Sequence, residues 1–323
     1  MKNSENAPWI CPVCGEKLNI YGKSFVCVNR HCYDIARSGY VNLLGASGKG
    51  NHGDDRLMVK ARTGFLNKGY YAPLAEKLTD FVLQYTVNGE YNYADCIVRN
   101  SGNGKSSSRA AHSGLIIDAG CGEGYYTGRI AEAIETRRME NSLSEEPASD
   151  TCDEAAGTPA AVSASVVGLD ISREAVAAAA KRTENVFLAV AGTSGMPLPD
   201  RCAAIVLNVF SPLFPEEFKR VLCPGGKLIR VVPGERHLWQ LKELVYDRPY
   251  ENPPPQIEVP GFEPVLTERV NYDITLQDNN SIRQLFMMTP YYYKTGENDQ
   301  KKLLNAANLT TRVEFEIIVS ECP

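Results

Sequence analysis

The sequence predicts an α/β protein: a doubly wound, mostly parallel sheet with a small cysteine-rich module ahead of it. Three observations carry this. From Leu115 onward, short apolar strands alternate with helical stretches, the pattern of βαβ units. The first of those strands, LIID, runs directly into a glycine-rich turn. Residues 1–45, by contrast, are rich in Cys, Gly and aromatics, and place Cys11, Cys14, Cys27 and His31 at the spacing of a metal site.

The bulk properties agree. At 323 residues the chain has room for one large domain and one small one. Hydrophobic residues make up 43% and charged residues 23%, ordinary values for a soluble globular protein. The start, MKNSENAPWICPVC, lacks the apolar stretch of a signal peptide, and no apolar run is long enough for a membrane span. A cytoplasmic protein is expected, in which thiols stay reduced and clustered cysteines serve as metal ligands. The net charge of −5 is unevenly spread. Residues 1–70 hold ten Lys/Arg against five Asp/Glu, a net of +5, while residues 140–158 hold six acids and no base. A local basic surface is what phosphate contact requires, so the overall acidity does not exclude a nucleic acid.

Along the chain, Lys23–Val28 reads as a short β-like run. Residues 54–87 read as helices broken near Gly69, with Leu74, Leu78, Phe81 and Val82 at helical spacing. Residues 88–113 are Asn-, Gly- and Ser-rich and read as a loop. LIID follows, then its glycine turn and a helix over Ala131–Glu140. Residues 141–163 have no apolar period and read as a disordered insertion. SVVGLD is the next strand, and Ser172 caps the alanine-rich helix after it, with Glu174 in the first turn. AAIVLNVF and KLIRVVP are further buried strands, the second entered through Pro224-Gly225-Gly226. Three regions are expected: 1–45, the cysteine-rich module; 46–113, a helical linker with a loop insertion; and 114–323, the α/β domain.

The cysteine pattern is C-x2-C, a gap, then C-x3-H. Zinc takes four soft ligands tetrahedrally, and two short loops deliver them, with Gly15 and Gly22 allowing the turns. A closed four-ligand site leaves no position for water, so its role is structural. On spacing alone Cys32 rivals His31 as the fourth ligand.

The loop DAGCGEGYYTG sets Asp118, Gly120, Gly122, Glu123 and Gly124 between strand and helix, so backbone can approach a nucleotide-like ligand closely. It departs from the dinucleotide fingerprint: the third glycine comes one residue early, and Asp118 and Glu123 would repel a pyrophosphate. A cofactor carrying an ammonium and a sulfonium suits it better, which points to S-adenosylmethionine. Asp170, ending SVVGLD, can accept both ribose hydroxyls. It lies 50 residues after Gly120, and 27 once the 23 residues of the 141–163 insertion are removed.

CPVC, FVCVNRHCYDIARSGYVNLL, GDDRLMVKARTGFLNKGYYAPL, LIIDAGCGEGYYTGRIAEAI, FKRVLCPGGKLIRVVPGERHLWQLKELVY and FMMTPYYYK occur in this order. Together they resemble the large-subunit (23S) rRNA guanine-N1-methyltransferases, a family of housekeeping enzymes and relatives that confer resistance to tylosin-like macrolides. The resemblance spans nearly the whole chain. It implies a Rossmann-like class I methyltransferase domain with a mixed, mostly parallel sheet, a zinc-ribbon-like module in front, a homodimer, and a 23S rRNA hairpin of domain II as substrate. It maps the zinc ligands to Cys11, Cys14, Cys27 and His31. Cofactor contacts map to Tyr71, Gly122, Glu123 and His237, with Gly120 and Asp170 from the wider class. The chain departs from the pattern in its two insertions and in Ala203 or Ala204, where many class members open that strand with Asp. Asn208 to Pro212 should still line the reaction pocket. Tyr21, Phe25, Tyr33 and Tyr40 are available either to stack on RNA or to form the small core of the zinc module. No residue is identified as the catalytic base. The alternatives are a methyltransferase acting on a small molecule, which would have no need of a basic module, and a non-catalytic RNA-binding protein with a degenerate methyltransferase fold, against which the intact Asp118, glycine loop and Asp170 argue.

Overall fold

The computed structural model describes residues 7–44, 53–87, 114–143 and 164–323. The expected loop 88–113 lies outside them, as do residues 144–163 of the second insertion. Residues 141–143, assigned above to that insertion, instead finish a helix.

The N-terminal module is built on three short antiparallel strands, β1 (Asn19–Tyr21), β2 (Ser24–Val26) and β3 (Cys32–Asp34). Tyr21 pairs with Ser24 across a two-residue turn, and Gly22 takes the positive φ of 64° that such a turn demands. Trp9, Leu18 and Phe25 are buried beneath this small sheet. They do not form a separate core. They join one cluster with Ile117, Val167, Leu169, Val206 and Leu228 of the large sheet, so the module is packed onto one face of the α/β domain. Its last strand, β4 (Val41–Asn42), goes further and pairs in parallel with the edge of that sheet.

Two helices follow, α1 (Arg56–Leu66) and α2 (Ala72–Val87), separated at Gly69 as the sequence predicts. Asp55 caps α1 by accepting the amides of Leu57 and Met58. The α/β region then runs β5 (Leu115–Ala119), α3 (Tyr125–Leu143), β6 (Ser165–Asp170), α4 (Arg173–Arg182), β7 (Val186–Val190), β8 (Ala203–Val209), α5 (Pro215–Val221), β9 (Leu222–Pro233) and α6 (Trp239–Val245). It closes with β10 (Glu263–Leu276), α7 (Asn279–Met287), α8 (Tyr291–Lys294), α9 (Glu297–Lys302) and β11 (Leu309–Glu321).

The large sheet has eight strands in the order β10-β11-β9-β8-β5-β6-β7-β4. Every pair from β9 to β4 is parallel; β11 alone is reversed, since β10, antiparallel to β11, points the same way as β9, which makes the sheet mixed and mostly parallel. The expected fold class holds. Strand order reverses between β5 and β8: the chain winds outward through β6 and β7, then returns. Such a reversal opens a crevice at the carboxyl ends of the strands, where ligands bind in sheets of this type. The second face is covered by α1, α2, α3 and α6, with Phe65, Leu74, Leu78, Ile130 and Leu241 packed on Ile116, Leu207, Ile229 and Phe315.

Candidate cofactor and zinc sites

At the zinc site the ligand atoms of Cys11, Cys14, Cys27 and His31 all lie within 4.8 Å of one another. Cys14 Sγ is 3.7 Å from Cys27 Sγ, and His31 Nδ1 is 3.5 Å from Cys11 Sγ and 3.3 Å from Cys27 Sγ. With zinc bonds of about 2.3 Å to sulfur and about 2.0 Å to nitrogen, a tetrahedron has S–S edges of about 3.8 Å and S–N edges of about 3.5 Å. The four atoms therefore fit a closed zinc site. Two tight turns deliver them. Gly15 N–H bonds Cys11 O in the first; in the second, Arg30 N–H bonds Cys27 O, and Arg30 adopts φ 65°. Cys32, the rival on spacing, is exposed and outside the cluster. Of the four aromatics, Phe25 and Tyr40 are buried and Tyr33 donates or accepts at Cys11 Sγ, while Tyr21 stands free in solvent.

At the carboxyl end of β5 the chain turns sharply through Gly120, Gly122 and Gly124, each at positive φ. Two of these positions also require the absent side chain. A Cβ on Gly120 would sit 2.5 Å from Ser211 Cβ, and one on Gly124 would sit 2.9 Å from Ala179 Cβ on α4. Asp118, Glu123 and Asp170 are drawn together around the turn. Asp170 accepts Gly122 N–H at 2.9 Å and Ser172 N–H at 2.8 Å, tying the end of β6 to the glycine loop. Asp118 Oδ2 accepts the Thr127 hydroxyl at 2.5 Å, but its Oδ1 has no hydrogen-bond partner. Glu123 Oε1 also lacks one, its nearest cation being Arg182 at 3.9 Å.

Burial pushes the Asp118 carboxyl up to about 7, against the pull of the Thr127 hydroxyl, and the neighbouring Asp170 and Glu123 charges add to the rise. Burial raises Glu123 and Asp170 as well, offset at Glu123 mainly by Arg62 and at Asp170 by its two amide bonds. Buried carboxylates with unpartnered oxygens are costly alone and welcome a cation. The residues present thus fit a ligand with a positively charged amino-acid end and a ribose, and do not fit a pyrophosphate.

Two further charged groups here, Arg62 and Asp54, belong to no motif in the sequence. Arg62 of α1 pairs with Asp54 and reaches over the loop, its Nη1 3.6 Å from where a Gly122 Cβ would be. Ser172, the N-cap of α4, donates its hydroxyl to Asp54 O at 2.7 Å, which pins the start of α1 to the end of β6. The available signal was Arg62's place on a helical stripe with Met58, Ala61 and Phe65, where a charge has no reason to sit unless it has partners.

The remaining two expected contacts, Tyr71 and His237, meet on the other side of the crevice. Both are buried, with ring centroids 6.5 Å apart, and both pack on Phe315 of β11. His237 Nδ1 accepts the Glu314 amide at 3.1 Å, which leaves the ring proton on Nε2. Burial pushes His237 down to about 3, so it is a neutral donor. The segment Asn208–Pro212 links the two halves: Ser211 donates to Ala119 O at 2.6 Å, and the Phe210 ring lies 5.5 Å from Phe315.

A seven-stranded mixed sheet extended by β4, a glycine loop lined with acids at its switch point, and a four-ligand zinc ribbon define an S-adenosylmethionine-dependent methyltransferase carrying a structural zinc. Comparison with known proteins places it within that class. A family model described as the N-terminal zinc ribbon of RlmA matches residues 9–51. A Streptomyces fradiae protein named 23S rRNA (guanine(748)-N(1))-methyltransferase is 30% identical over 286 residues, covering 87% of this chain and 84% of that protein. Bacillus subtilis YxjB, provisionally named as a 23S rRNA (guanine-N(1)-)-methyltransferase, is 26% identical over 318 residues, covering 96% of this chain and 95% of its own. The chain belongs to the 23S rRNA (guanine-N1)-methyltransferase family.

Proposed function

We propose that this protein transfers the methyl group of S-adenosylmethionine to N1 of a guanine in a domain II hairpin of 23S rRNA, and does so in the cytoplasm as a homodimer. One observation carries the reading: an RlmA-type ribbon precedes the catalytic fold, and the similarity to named rRNA enzymes extends over most of both chains. Asp118 and Glu123 hold the cationic amino-acid end of the cofactor, Asp170 takes the ribose hydroxyls, and the backbone at Gly120 and Gly122 makes the close approach. Tyr71 and the Nε2–H of His237 close the far side. When bound, the cofactor supplies an electrophilic methyl group.

The chain must do the rest. Guanine N1 carries a proton and sits inside a Watson–Crick pair, so the base has to be unpaired or extruded, and the proton has to leave as the N1–methyl bond forms. His237 is a poor base for this, because its Nδ1 is already committed to the Glu314 amide and its basicity is suppressed. The contribution expected of the protein is positioning, with N1 held in line with the methyl group and water excluded.

Primer extension on 23S rRNA tests the reaction, since N1 methylation blocks pairing and stops reverse transcriptase. A stop in domain II should be present in the parent strain, vanish on deletion of the gene and return on complementation. A stop that persists in the deletion strain overturns the assignment. Sedimentation velocity on the pure protein tests the dimer.

A further inference from the structure

Phe210 is an anomaly in the fold. The preceding residues of β8, Ile205 to Val209, are all buried, yet the next side chain is a phenylalanine that is 45% exposed. Its backbone is in the left-handed region, φ 54°, which is unfavourable for any residue with a Cβ.

The surroundings hold it in that conformation from both sides. Phe210 N–H donates to Val231 O on β9 at 3.1 Å. Asn208 Nδ2 donates to Ser211 Oγ at 2.6 Å and to Pro212 O at 3.0 Å, drawing the turn back on itself. Ser211 Oγ then donates to Ala119 O, beside Gly120, where no side chain would fit. The ring rests against Phe315, tilted at 48°, and Phe315 is backed by His237 and Tyr71. The other exposed large aromatics, such as Tyr21, Tyr250 and Tyr293, are on other segments of the chain. Among the described residues, Phe210 alone of these follows the carboxyl end of a strand at the switch point, one residue from the contact with the glycine loop.

A rigid, partly exposed aromatic face in that place suits a flat, unsaturated ligand. We propose that Phe210 is the platform on which an extruded purine base stacks, and that the strained turn Asn208–Pro212 exists to hold that ring at a fixed height above the strand ends. This deepens the function proposed above and rests on it. Stacking on an aromatic is a common means of holding an unpaired base in RNA recognition, and it tolerates any base, so Phe210 positions the guanine without selecting it.

The test compares Phe210→Ala, Phe210→Leu and Phe210→Tyr on unmodified 23S rRNA from the deletion strain. Calorimetry with S-adenosylhomocysteine first establishes that each variant is folded with an intact cofactor site. Base–aromatic stacking corresponds to a loss of about 5- to 150-fold on removal. The Ala and Leu variants should therefore lose methylation by such a factor in kcat/KM, Tyr should restore it, and S-adenosylhomocysteine affinity should stay constant throughout. A transcript with 2-aminopurine at the modified position adds a direct reading: its fluorescence should stay quenched on the wild type and brighten on the Leu variant. A Leu variant as active as wild type shows that volume suffices and overturns the stacking role. A fall in S-adenosylhomocysteine affinity parallel to the loss of methylation also overturns it, placing Phe210 in the cofactor site instead. Failure of the wild type to methylate 23S rRNA removes the substrate reading itself and this proposal with it.

Discussion

At pH 6 Asp118 should hold a proton that the cofactor displaces. Its carboxyl is raised from the usual carboxylate range to about 7, first by burial and then by the charges of Asp170 and Glu123. Between pH 4 and 7 the folded protein thus binds more protons at this site than the unfolded chain does, and the site destabilises the fold progressively as pH rises through that window. A cationic ligand favours the carboxylate and reverses the penalty. Cofactor binding at pH 6 should release close to one proton, and affinity should rise with pH up to about 7 and then level. Calorimetry at pH 6 in two buffers of different ionisation enthalpy measures this directly, and the difference in heats should shrink in Asp118→Asn. Equal heats for the wild type in both buffers would refute the role given to this carboxyl. His237 is shifted the other way, to about 3, so it stays neutral through the same range, and Glu123 and Asp170, also raised by burial, are the groups that can add to the Asp118 signal.

At the scale of elements, the ribbon and the catalytic sheet are joined more closely than two domains on a linker. β4 contributes only two residues, but Val41 pairs with Ala189 and Leu43 N–H donates to Val190 O at 2.9 Å, so the ribbon covers what would be the open edge of β7. Trp9, Leu18 and Phe25 are buried in a cluster with strands β5, β6 and β8. Metal loss should therefore propagate. Cys14→Ser should release one equivalent of zinc and lower the melting temperature of the entire chain in one transition, at about 2–4 °C for each kcal/mol of stability removed. Two separate transitions, the upper one unchanged from wild type, would show that the ribbon unfolds alone and that the shared cluster is energetically unimportant.

Over the whole molecule, the sign of the charge is less informative than its placement. Lys17, Lys23, Arg30 and Arg37 are exposed on the ribbon, and none forms an ion pair with another described residue. Exposed cations on the module that also exposes Tyr21 suit a phosphate backbone. Removing the cation that neutralises one phosphate should lower the slope of log affinity against log salt by about 0.7–0.9. Replacing the four by Gln should therefore weaken RNA binding and flatten that slope while leaving S-adenosylhomocysteine affinity untouched. RNA binding with an unaltered salt slope would assign the ribbon a purely structural role. Among the described residues, no helix is long and apolar enough to cross a membrane.

The sequence by itself determined what is local. Zinc spacing is a property of two turns, and Cys11, Cys14, Cys27 and His31 converge as read, although Cys32 is set aside only by its exposed position outside the cluster. The glycine loop, the Ser172 cap and the break at Gly69 are likewise written in neighbouring residues, because φ preference and capping act over three or four positions. Strand β7 does not stand out because it is a short apolar run, and β10 because its exposed edge position leaves it largely polar. The tertiary structure alone decided the rest. Arg62 meets Asp54 above a loop sixty residues away, Tyr71 meets His237 on Phe315, and Phe210 is held in a strained turn by bonds to β9 and β5. Each of these depends on which strands become neighbours, and that order is set by burying two faces of one sheet at once, a condition no single stretch of sequence expresses.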